Sequence, residues 1–194
     1  MPQLSPAHTP ANLVRLTEFD ATLRDGRVVH MRPMQKSDEA ELLQAFDRLS
    51  PDARYMRFMR AVREPDLERL HKTLASFPES GDAIVATVPA DDGIDIVGSA
   101  MFAILSDART CEFAIDVAGD FGGAGLGSTL MKALIDTARQ RGLKEMEGFV
   151  LAANQPMQRL AARMGFTASR DPEDATVRIY RLRLDRPQDE AFPQ

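Results

Sequence analysis

The 194-residue chain contains no tryptophan, one cysteine and three histidines, and these absences exclude two kinds of protein. A single cysteine, Cys111, cannot build an intrachain disulfide framework, and such usage is typical of a reducing compartment. The histidines at positions 8, 30 and 71 are too scattered to match the ligand spacing of a zinc site. We therefore expect neither a disulfide scaffold nor a metal centre.

Basic charge and long apolar runs are also lacking. Lys and Arg number 24 against 29 Asp and Glu, a net charge of -5, so the basic balance typical of nucleic-acid binding is missing. No apolar run approaches the ~18 residues of a membrane span, and residues 1–10 lack the regions of a signal peptide. These absences predict a soluble cytoplasmic protein that binds neither nucleic acid nor membrane, and they leave a homodimer open.

The residues that are present fit one domain with a sizeable core, because 44% of the 194 residues are hydrophobic. The polar, proline-bearing ends predict a disordered segment at 1–12 and a polar tail at 186–194. One folded domain is therefore expected over 13–185.

Local patterns predict a mixed α+β chain. An Asp25-Gly26 turn predicts an opening hairpin, and Ser37 before an apolar-periodic stretch predicts an N-capped helix. Pro51 and Pro65 are each expected to open a further helix, ending near residues 62 and 75. The other expected elements are strands at 83–88, 96–105, 111–117, 147–151 and 176–184, and helices at 129–141 and after Asn154. The 147–151 strand should run parallel to 111–117, since the crossover between them is right-handed.

The most informative segment is 111–128, CEFAIDVAGDFGGAGLGS, an apolar strand that ends in a glycine-rich loop and leads into a helix. Glycines let backbone N–H groups turn toward a ligand, and the helix N-terminus adds positive potential. This pattern predicts a phosphate-binding loop. A flexible glycine linker is the alternative, and the strand and helix signals close on both sides argue against it.

Two common phosphate loops fit the glycine spacing poorly. Ser128 occupies the position where the nucleotide-triphosphate loop needs its lysine, so no side chain reaches the β- and γ-phosphates. Gly123, Gly125 and Gly127 are spaced by two in the second half of the chain, unlike the dinucleotide fingerprint. Gly122-x-x-Gly125-x-Gly127 instead resembles the Q/R-x-x-G-x-G/A loop of the GNAT superfamily of acyl-CoA N-acyltransferases.

The resemblance extends beyond the loop. The order of strand 146–151, Asn154, helix and Gly165-Phe166 is similar to the second half of GNAT domains. It implies an α+β fold with a mostly antiparallel sheet of six to seven strands, a splayed parallel pair, and helices on both faces. Further motifs resemble the bacterial protein-lysine acetyltransferase (Pat-type) branch: Met31-Arg32-Pro33, Ser37-Asp38, Leu49-Ser50-Pro51, Arg54-Tyr55-Met56-Arg57-Phe58 and Glu112-Phe113-Ala114.

For the co-substrate, the resemblance implies an acetyl-CoA site made mostly of backbone. The pantetheine arm would lie between the splayed strands, bonded to backbone groups of Ile115 and Val117. Asn154 would face the arm, although it is equally suited to capping the helix that follows. The pyrophosphate would be bound by the amides of Gly122, Gly123, Ala124, Gly125, Leu126, Gly127 and Ser128.

Acyl transfer to an amine needs a base, because a lysine amine, with a reference pKa of about 10.4, is protonated at neutral pH. Strand alternation places Glu112 on the face opposite Cys111. The resemblance makes Glu112 the general base, and partial burial would raise its pKa and improve it as a proton acceptor, through a water. An exposed strand face is the alternative for Glu112, and a buried apolar thiol is the expectation for Cys111.

Two positions depart from the family pattern. Ala161 replaces the tyrosine that many GNAT enzymes are thought to use as general acid, so no acid is assigned. Gly122 replaces the usual Gln or Arg, which removes a side chain from the pyrophosphate rim. Elsewhere, the spacing of Arg54, Arg57 and Arg60 predicts a basic edge on one helix. The resemblance implies that this helix borders the acceptor site, and a solvated helix face is favoured over substrate contact.

Together these residues predict an acetyl-CoA-dependent N-acetyltransferase that works by direct ternary-complex transfer, with a protein lysine as preferred acceptor. Two alternatives stay open. One is the same chemistry on a small amine, and the other is a non-catalytic acyl-CoA sensor that regulates a partner.

Overall fold

The structure is a computed structural model that describes residues 16–91 and 93–185. The two predicted tails, 1–12 and 186–194, lie outside these residues. Within the described ranges the strands are β1 (Phe19–Thr22), β2 (Val28–Pro33), β3 (Gly81–Ala90), β4 (Gly93–Ile104), β5 (Thr110–Val117), β6 (Glu145–Leu151), β7 (Thr167–Arg170) and β8 (Val177–Arg183). The helices are α1 (Glu39–Arg48), α2 (Pro51–Phe58), α3 (Leu67–Ser76), α4 (Leu126–Gln140) and α5 (Gln155–Arg163).

The described strands form one eight-stranded sheet in the order β1-β2-β3-β4-β5-β6-β8-β7. β5 and β6 run parallel and the other neighbours run antiparallel, which confirms the predicted mixed sheet. The sheet has eight strands where six or seven are expected, because the short strand β7 pairs with β8 along the edge. All four β7 residues are exposed, so no apolar alternation marks this strand in the sequence.

Helices cover both faces of the sheet, as expected. On one face Leu130 and Leu134 of α4 belong to the same buried cluster as Cys111 and Phe113 of β5. On the other face α1 and α2 contact β4 and β5, and the rings of Phe46 and Phe58 lie 5.9 Å apart between centroids. The main core therefore lies between α4 and the Cys111 face of β5.

The predicted cap of α1 is wrong. Ser37 lies inside a 3-10 turn that precedes the helix, and its hydroxyl donates to the Gln35 side chain at 3.4 Å. The neighbouring Asp38 carboxylate accepts the Gln35 amide at 2.8 Å and two bonds from Arg32 at 2.7 and 2.8 Å. The charged Asp38 and Arg32 pair thus holds the start of α1 against β2, a tertiary contact that local spacing does not reveal.

Two helix boundaries also differ from the prediction. α2 begins at its proline as expected but ends at Phe58, because Met59 adopts a left-handed φ of 53°. Pro65 does not open α3, since the Asp66 side chain caps that helix by accepting the Arg69 amide at 2.9 Å.

Both predicted hairpins are confirmed. β1 and β2 pair antiparallel, with Gly26 at a positive φ of 87° in the turn. β3 and β4 pair from Gly81 with Ala103 to Ala90 with Gly93, so the hairpin is longer than predicted.

Candidate active site

The two parallel strands, β5 and β6, pair at one end and separate beyond it. β5 and β6 pair at Thr110 with Glu145, Cys111 with Met146 and Glu112 with Glu147, and no later pair joins them in the described residues. Beyond this point, at Ile115 and Val117, β5 stays paired with β4, and β6 stays paired with β8. The inner edges therefore face a slot in which their backbone groups have no ladder partner among the described residues. A peptide-like arm in this slot can pair with such edges.

The slot begins where the ring of Phe113 lies against Gly148. A β-carbon on Gly148 would stand 2.5 Å from the Cζ atom of that ring, so glycine leaves the room that the ring needs. The ring also makes an edge contact with Phe166, with centroids 5.2 Å apart. Because Phe113 and Gly148 directly follow the last β5–β6 pair, the ring fills the space where pairing stops.

The glycine loop has the backbone shape that its sequence predicts. Gly123 and Gly125 have positive φ angles of 77° and 99°, which residues with side chains rarely adopt. α4 begins at Leu126, directly after Gly125, rather than at the predicted Thr129. The last glycine of the motif, Gly127, therefore lies in the first helical turn, where N–H groups lack intrahelical acceptors.

Several loop amides are available to a ligand. In the described part of the chain, no hydrogen-bond acceptor is found for the amides of Gly123, Gly125, Leu126 and Gly127. The other three predicted donors already form backbone hydrogen bonds. The Gly122 amide donates to the Gly119 carbonyl at 3.0 Å, the Ala124 amide to the Phe121 carbonyl at 3.4 Å, and the Ser128 amide to the Gly125 carbonyl at 3.0 Å. Free amides at a helix N-terminus are an arrangement that binds phosphate. The four unbonded amides are thus the donors that a pyrophosphate could use.

Glu112 lies at the start of the slot, on the face opposite the buried Cys111. The residue is exposed, yet partial desolvation raises the pKa of its carboxyl group, and the carboxylate of Glu147 raises that pKa further. Arg69 and Arg57 act in the opposite sense and lower it by less. Glu112 is thus a solvent-accessible carboxylate with increased proton affinity, as a general base requires.

Sequence reasoning missed Glu147. This residue is the register partner of Glu112, its side chain is 14% exposed, and its Oε2 accepts a hydrogen bond from Arg181 Nε at 3.0 Å. Alternation along one strand identifies the face of Glu112, but the neighbour across the sheet depends on register between strands distant in sequence.

Asp116 anchors α2 beside this face of β5. Its Oδ2 accepts a hydrogen bond from the Ser99 hydroxyl at 2.8 Å and lies 3.5 Å from Arg57 Nε. Asp116 follows Glu112 by an even number of residues on β5, so the two side chains project from the same face of the sheet. The contact therefore places α2 along the border of the region in front of Glu112.

The predicted basic edge on α2 is not a continuous surface. Arg54 lies 4.2 Å from the centroid of the Phe46 ring and donates to three backbone carbonyls, so it holds the helix region together. Arg57 pairs with Asp116. Arg60 is exposed but lies beyond the end of α2, because the helix stops earlier than predicted.

Three other predicted positions have defined local environments. Asn154 caps α5, since its Oδ1 accepts the Met157 amide at 3.1 Å, and its contact with a pantetheine arm stays a prediction. Cys111 is fully buried, which confirms the expected buried thiol, and this burial raises the pKa of the thiol to about 12. Ala161 is fully buried in α5 and offers no acid.

The described residues, 16–91 and 93–185, contain neither a metal-binding cluster nor a membrane-spanning helix. No group of three or more His, Cys, Asp or Glu side chains in these ranges could hold a metal ion. Likewise, none of their helices has the length and apolar character to cross a membrane.

The mixed sheet, its splayed parallel pair and the glycine loop before α4 define the acyltransferase class to which GNAT domains belong. Residues 43–166 match the model of the Acetyltransferase (GNAT) family. The chain belongs to this family and is an acyl-CoA-dependent acetyltransferase.

Two named relatives support this assignment. The chain is 36% identical over 163 residues to Acetyltransferase PA5475 of Pseudomonas aeruginosa. The aligned region covers 84% of this chain and 88% of the relative. It is 28% identical over 154 residues to Acetyltransferase Pat of Mycolicibacterium smegmatis, which covers 77% of this chain and 44% of the relative. The chain thus spans less than half the length of that Pat protein.

Solved structures share the fold. The GNAT domain of S. lividans PAT superposes with a TM-score of 0.79 at 23% identity, over 91% of this chain and 99% of that domain. The yncA protein of Salmonella typhimurium, solved with its cofactor acetyl-CoA, gives a TM-score of 0.62 at 22% identity, over 82% of this chain and 96% of yncA. At these identities the likeness establishes the fold alone.

Proposed function

We propose that this protein transfers an acetyl group from acetyl-CoA to a primary amine, with a protein lysine as the preferred acceptor. The proposal depends on one observation: an open slot, unbonded loop amides and a carboxylate of raised pKa occur together along β5 and the loop that follows it. Each feature supports one requirement of the reaction, namely binding of the donor arm, binding of its phosphates and removal of the amine proton.

The donor fits the slot and the loop by chemistry. Backbone groups of Ile115 and Val117, on the inner edge of β5, would bond the amide-bearing pantetheine arm, and the free amides from Gly123 to Gly127 would bond the pyrophosphate. Acetyl-CoA supplies an activated thioester with a good leaving group. That yncA contains acetyl-CoA within the same fold supports this choice of donor.

Glu112 is proposed to prepare the acceptor. Its carboxylate takes a proton from the ammonium group, directly or through one water, and the neutral nitrogen then attacks the thioester carbonyl within a ternary complex. The N–C bond forms as the C–S bond breaks, and the nitrogen releases its second proton to solvent to leave a neutral amide. The departing thiolate takes its proton from solvent, since Ala161 cannot supply one, and Glu112 passes its own proton to solvent because it is exposed.

A protein acceptor is favoured by the surface around Glu112. Tyr55, Phe58, Met59 and Leu67 are exposed on or next to α2 and α3, the helices whose Arg57 and Arg69 act on the pKa of Glu112. Exposed aromatic and methionine side chains are typical of surfaces that contact other proteins. The motifs that resemble the Pat-type branch favour the same acceptor, and one relative carries the name Acetyltransferase Pat. Because the single cysteine is typical of a reducing compartment, we propose that the reaction takes place in the cytoplasm.

Labelled acetyl-CoA tests the proposal. The protein is incubated with a panel of folded proteins from a cell extract and, separately, with a panel of small amines, and label transfer and thiol release are both measured. Label on protein lysines supports the proposal. Label on small amines alone would replace the acceptor with a small molecule, and coenzyme binding without thiol release would favour the sensor.

A further inference from the structure

The turn between β1 and β2 packs onto the glycine loop. The Arg24 amide donates to the Ala124 carbonyl at 2.9 Å. The Arg27 guanidinium donates to the Asp120 carbonyl at 2.8 Å and lies 3.8 Å from the centroid of the Phe121 ring. These contacts join the hairpin to both the beginning and the middle of the loop, so the hairpin turn lies beside the candidate phosphate site.

The two arginines of this hairpin differ in their partners. Arg27 is fully engaged, since it also pairs with Asp25 at 2.6 Å. For the Arg24 guanidinium, no hydrogen bond or ion pair is found with the described residues. Its Cγ and Nε atoms lie 3.5 and 3.6 Å from the point where a β-carbon on Gly125 would stand. Within residues 16–91 and 93–185, therefore, a guanidinium without a partner lies directly over a glycine whose own amide has no acceptor.

The loop itself carries no cation that could balance a bound phosphate. Residues 119–129, GDFGGAGLGST, contain one aspartate and no lysine or arginine. The amides and the N-terminus of α4 favour an anion, but they supply no full positive charge to balance a diphosphate. A guanidinium supplies both charge and paired donors for phosphate oxygens.

We infer that Arg24 binds a phosphate of the coenzyme over the glycine loop. This inference rests on the proposed function, because it assumes that the loop binds coenzyme A. The phosphate belongs either to the pyrophosphate or to the 3′-phosphate of the ribose, and both present the same chemistry to a guanidinium. Arg24 thereby supplies, from the first hairpin, the side chain that Gly122 does not supply from the loop.

Calorimetric titration of coenzyme A into the parent and three variants tests this role. Arg24→Gln should weaken binding by about 10- to 100-fold, the usual effect of losing a charged hydrogen bond, and the loss should shrink at high salt. Arg24→Lys should recover part of the affinity through its charge. Arg170→Gln, the same change on the distant edge strand β7, should bind as the parent does.

Dephospho-coenzyme A separates the two phosphates, because it keeps the pyrophosphate and lacks the 3′-phosphate. If Arg24→Gln binds dephospho-coenzyme A more weakly than the parent does, Arg24 contacts the pyrophosphate. If the two proteins bind this ligand equally well, Arg24 contacts the 3′-phosphate. Unchanged affinity of Arg24→Gln for coenzyme A, or an Arg24→Lys variant as weak as Arg24→Gln, would overturn the inference. If the parent itself does not bind coenzyme A, the proposed function fails first, and the two failures are therefore distinguishable.

Discussion

Glu112 and Glu147 are partners at the last paired position of the two parallel strands, so two carboxylates project side by side at the start of the slot. Glu147 is held by Arg181 at 3.0 Å, whereas no such bond to Glu112 is found among the described residues. Like charges at close range favour protonation of one member of the pair. Glu112 shows this effect, since Glu147 raises its pKa after the larger effect of burial.

The first prediction concerns this pair. Glu147→Gln removes the repelling charge, so the pKa of Glu112 should fall and the acidic limb of the kcat/KM profile should move to lower pH. Glu145→Gln is the matched control, because Glu145 also lies near Arg181, at 3.7 Å, but does not act on the pKa of Glu112. An unchanged limb in Glu147→Gln, or an equal shift in Glu145→Gln, would contradict this tuning.

The second prediction tests Glu112 as the base. Glu112→Gln keeps the size of the side chain and removes the proton acceptor, so kcat should fall by ~10²-fold or more at neutral pH. Coenzyme affinity, measured by calorimetry, should be unaffected because the slot and loop amides do not involve this side chain. A full rate in this variant would leave proximity within the ternary complex as the source of catalysis.

The same substitution, Glu112→Gln, should increase the stability of the protein at neutral pH although it lowers kcat. The pKa of Glu112 is raised in the folded protein, so folding disfavours its charged form, and its contribution to stability is present below the unfolded pKa and lost as pH rises through the folded pKa. Because glutamine does not ionise, Glu112→Gln does not lose this stability as pH rises. Its Tm should therefore exceed that of the parent at neutral pH and equal it in acid. Thermal unfolding across pH measures the difference, and a lower Tm at neutral pH would indicate a stabilising contact of the charged form.

The glycine loop and the strand face of Glu112 could be predicted because each depends on residues adjacent in the chain. Positive φ angles occur at Gly123 and Gly125, and the alternation that separates Glu112 from Cys111 holds in the structure. These are local properties of a strand, a turn and a helix start.

The missed features depend on contacts between distant segments. Spacing on α2 suggested a basic edge, but Arg54 turns onto a ring of α1 and Arg57 onto Asp116 of β5. Likewise, the partner of Glu112 follows from the register of β6. Helical spacing identifies which residues share a face, and tertiary packing decides whether that face meets solvent or protein.

A further prediction concerns the origin of the slot. Gly148→Ala would place a β-carbon 2.5 Å from Cζ of Phe113, a ring already packed against Phe166, so we expect a destabilisation of about 1–3 kcal/mol. Gly119→Ala is the control, because nothing lies within 4 Å of its added carbon. Denaturant unfolding compares the two variants. Adding Phe113→Leu to Gly148→Ala should recover part of the loss, whereas equal stability of Gly148→Ala and the parent would show that the ring moves freely.

The last prediction compares two substitutions at Gly125 that differ in charge alone. Asn and Asp tolerate a positive φ better than other residues with side chains, so Gly125→Asn and Gly125→Asp should bear a similar backbone cost at the observed φ of 99°. Asp adds an anion at the unbonded amides, which would repel a phosphate and compete for Arg24. Calorimetry should therefore show weakened acetyl-CoA binding in Gly125→Asn and a loss at least tenfold larger in Gly125→Asp, with matching Tm values as the check on folding. Equal affinities in the two variants would mean that no phosphate lies at this loop, and the donor site would have to be sought elsewhere along the slot.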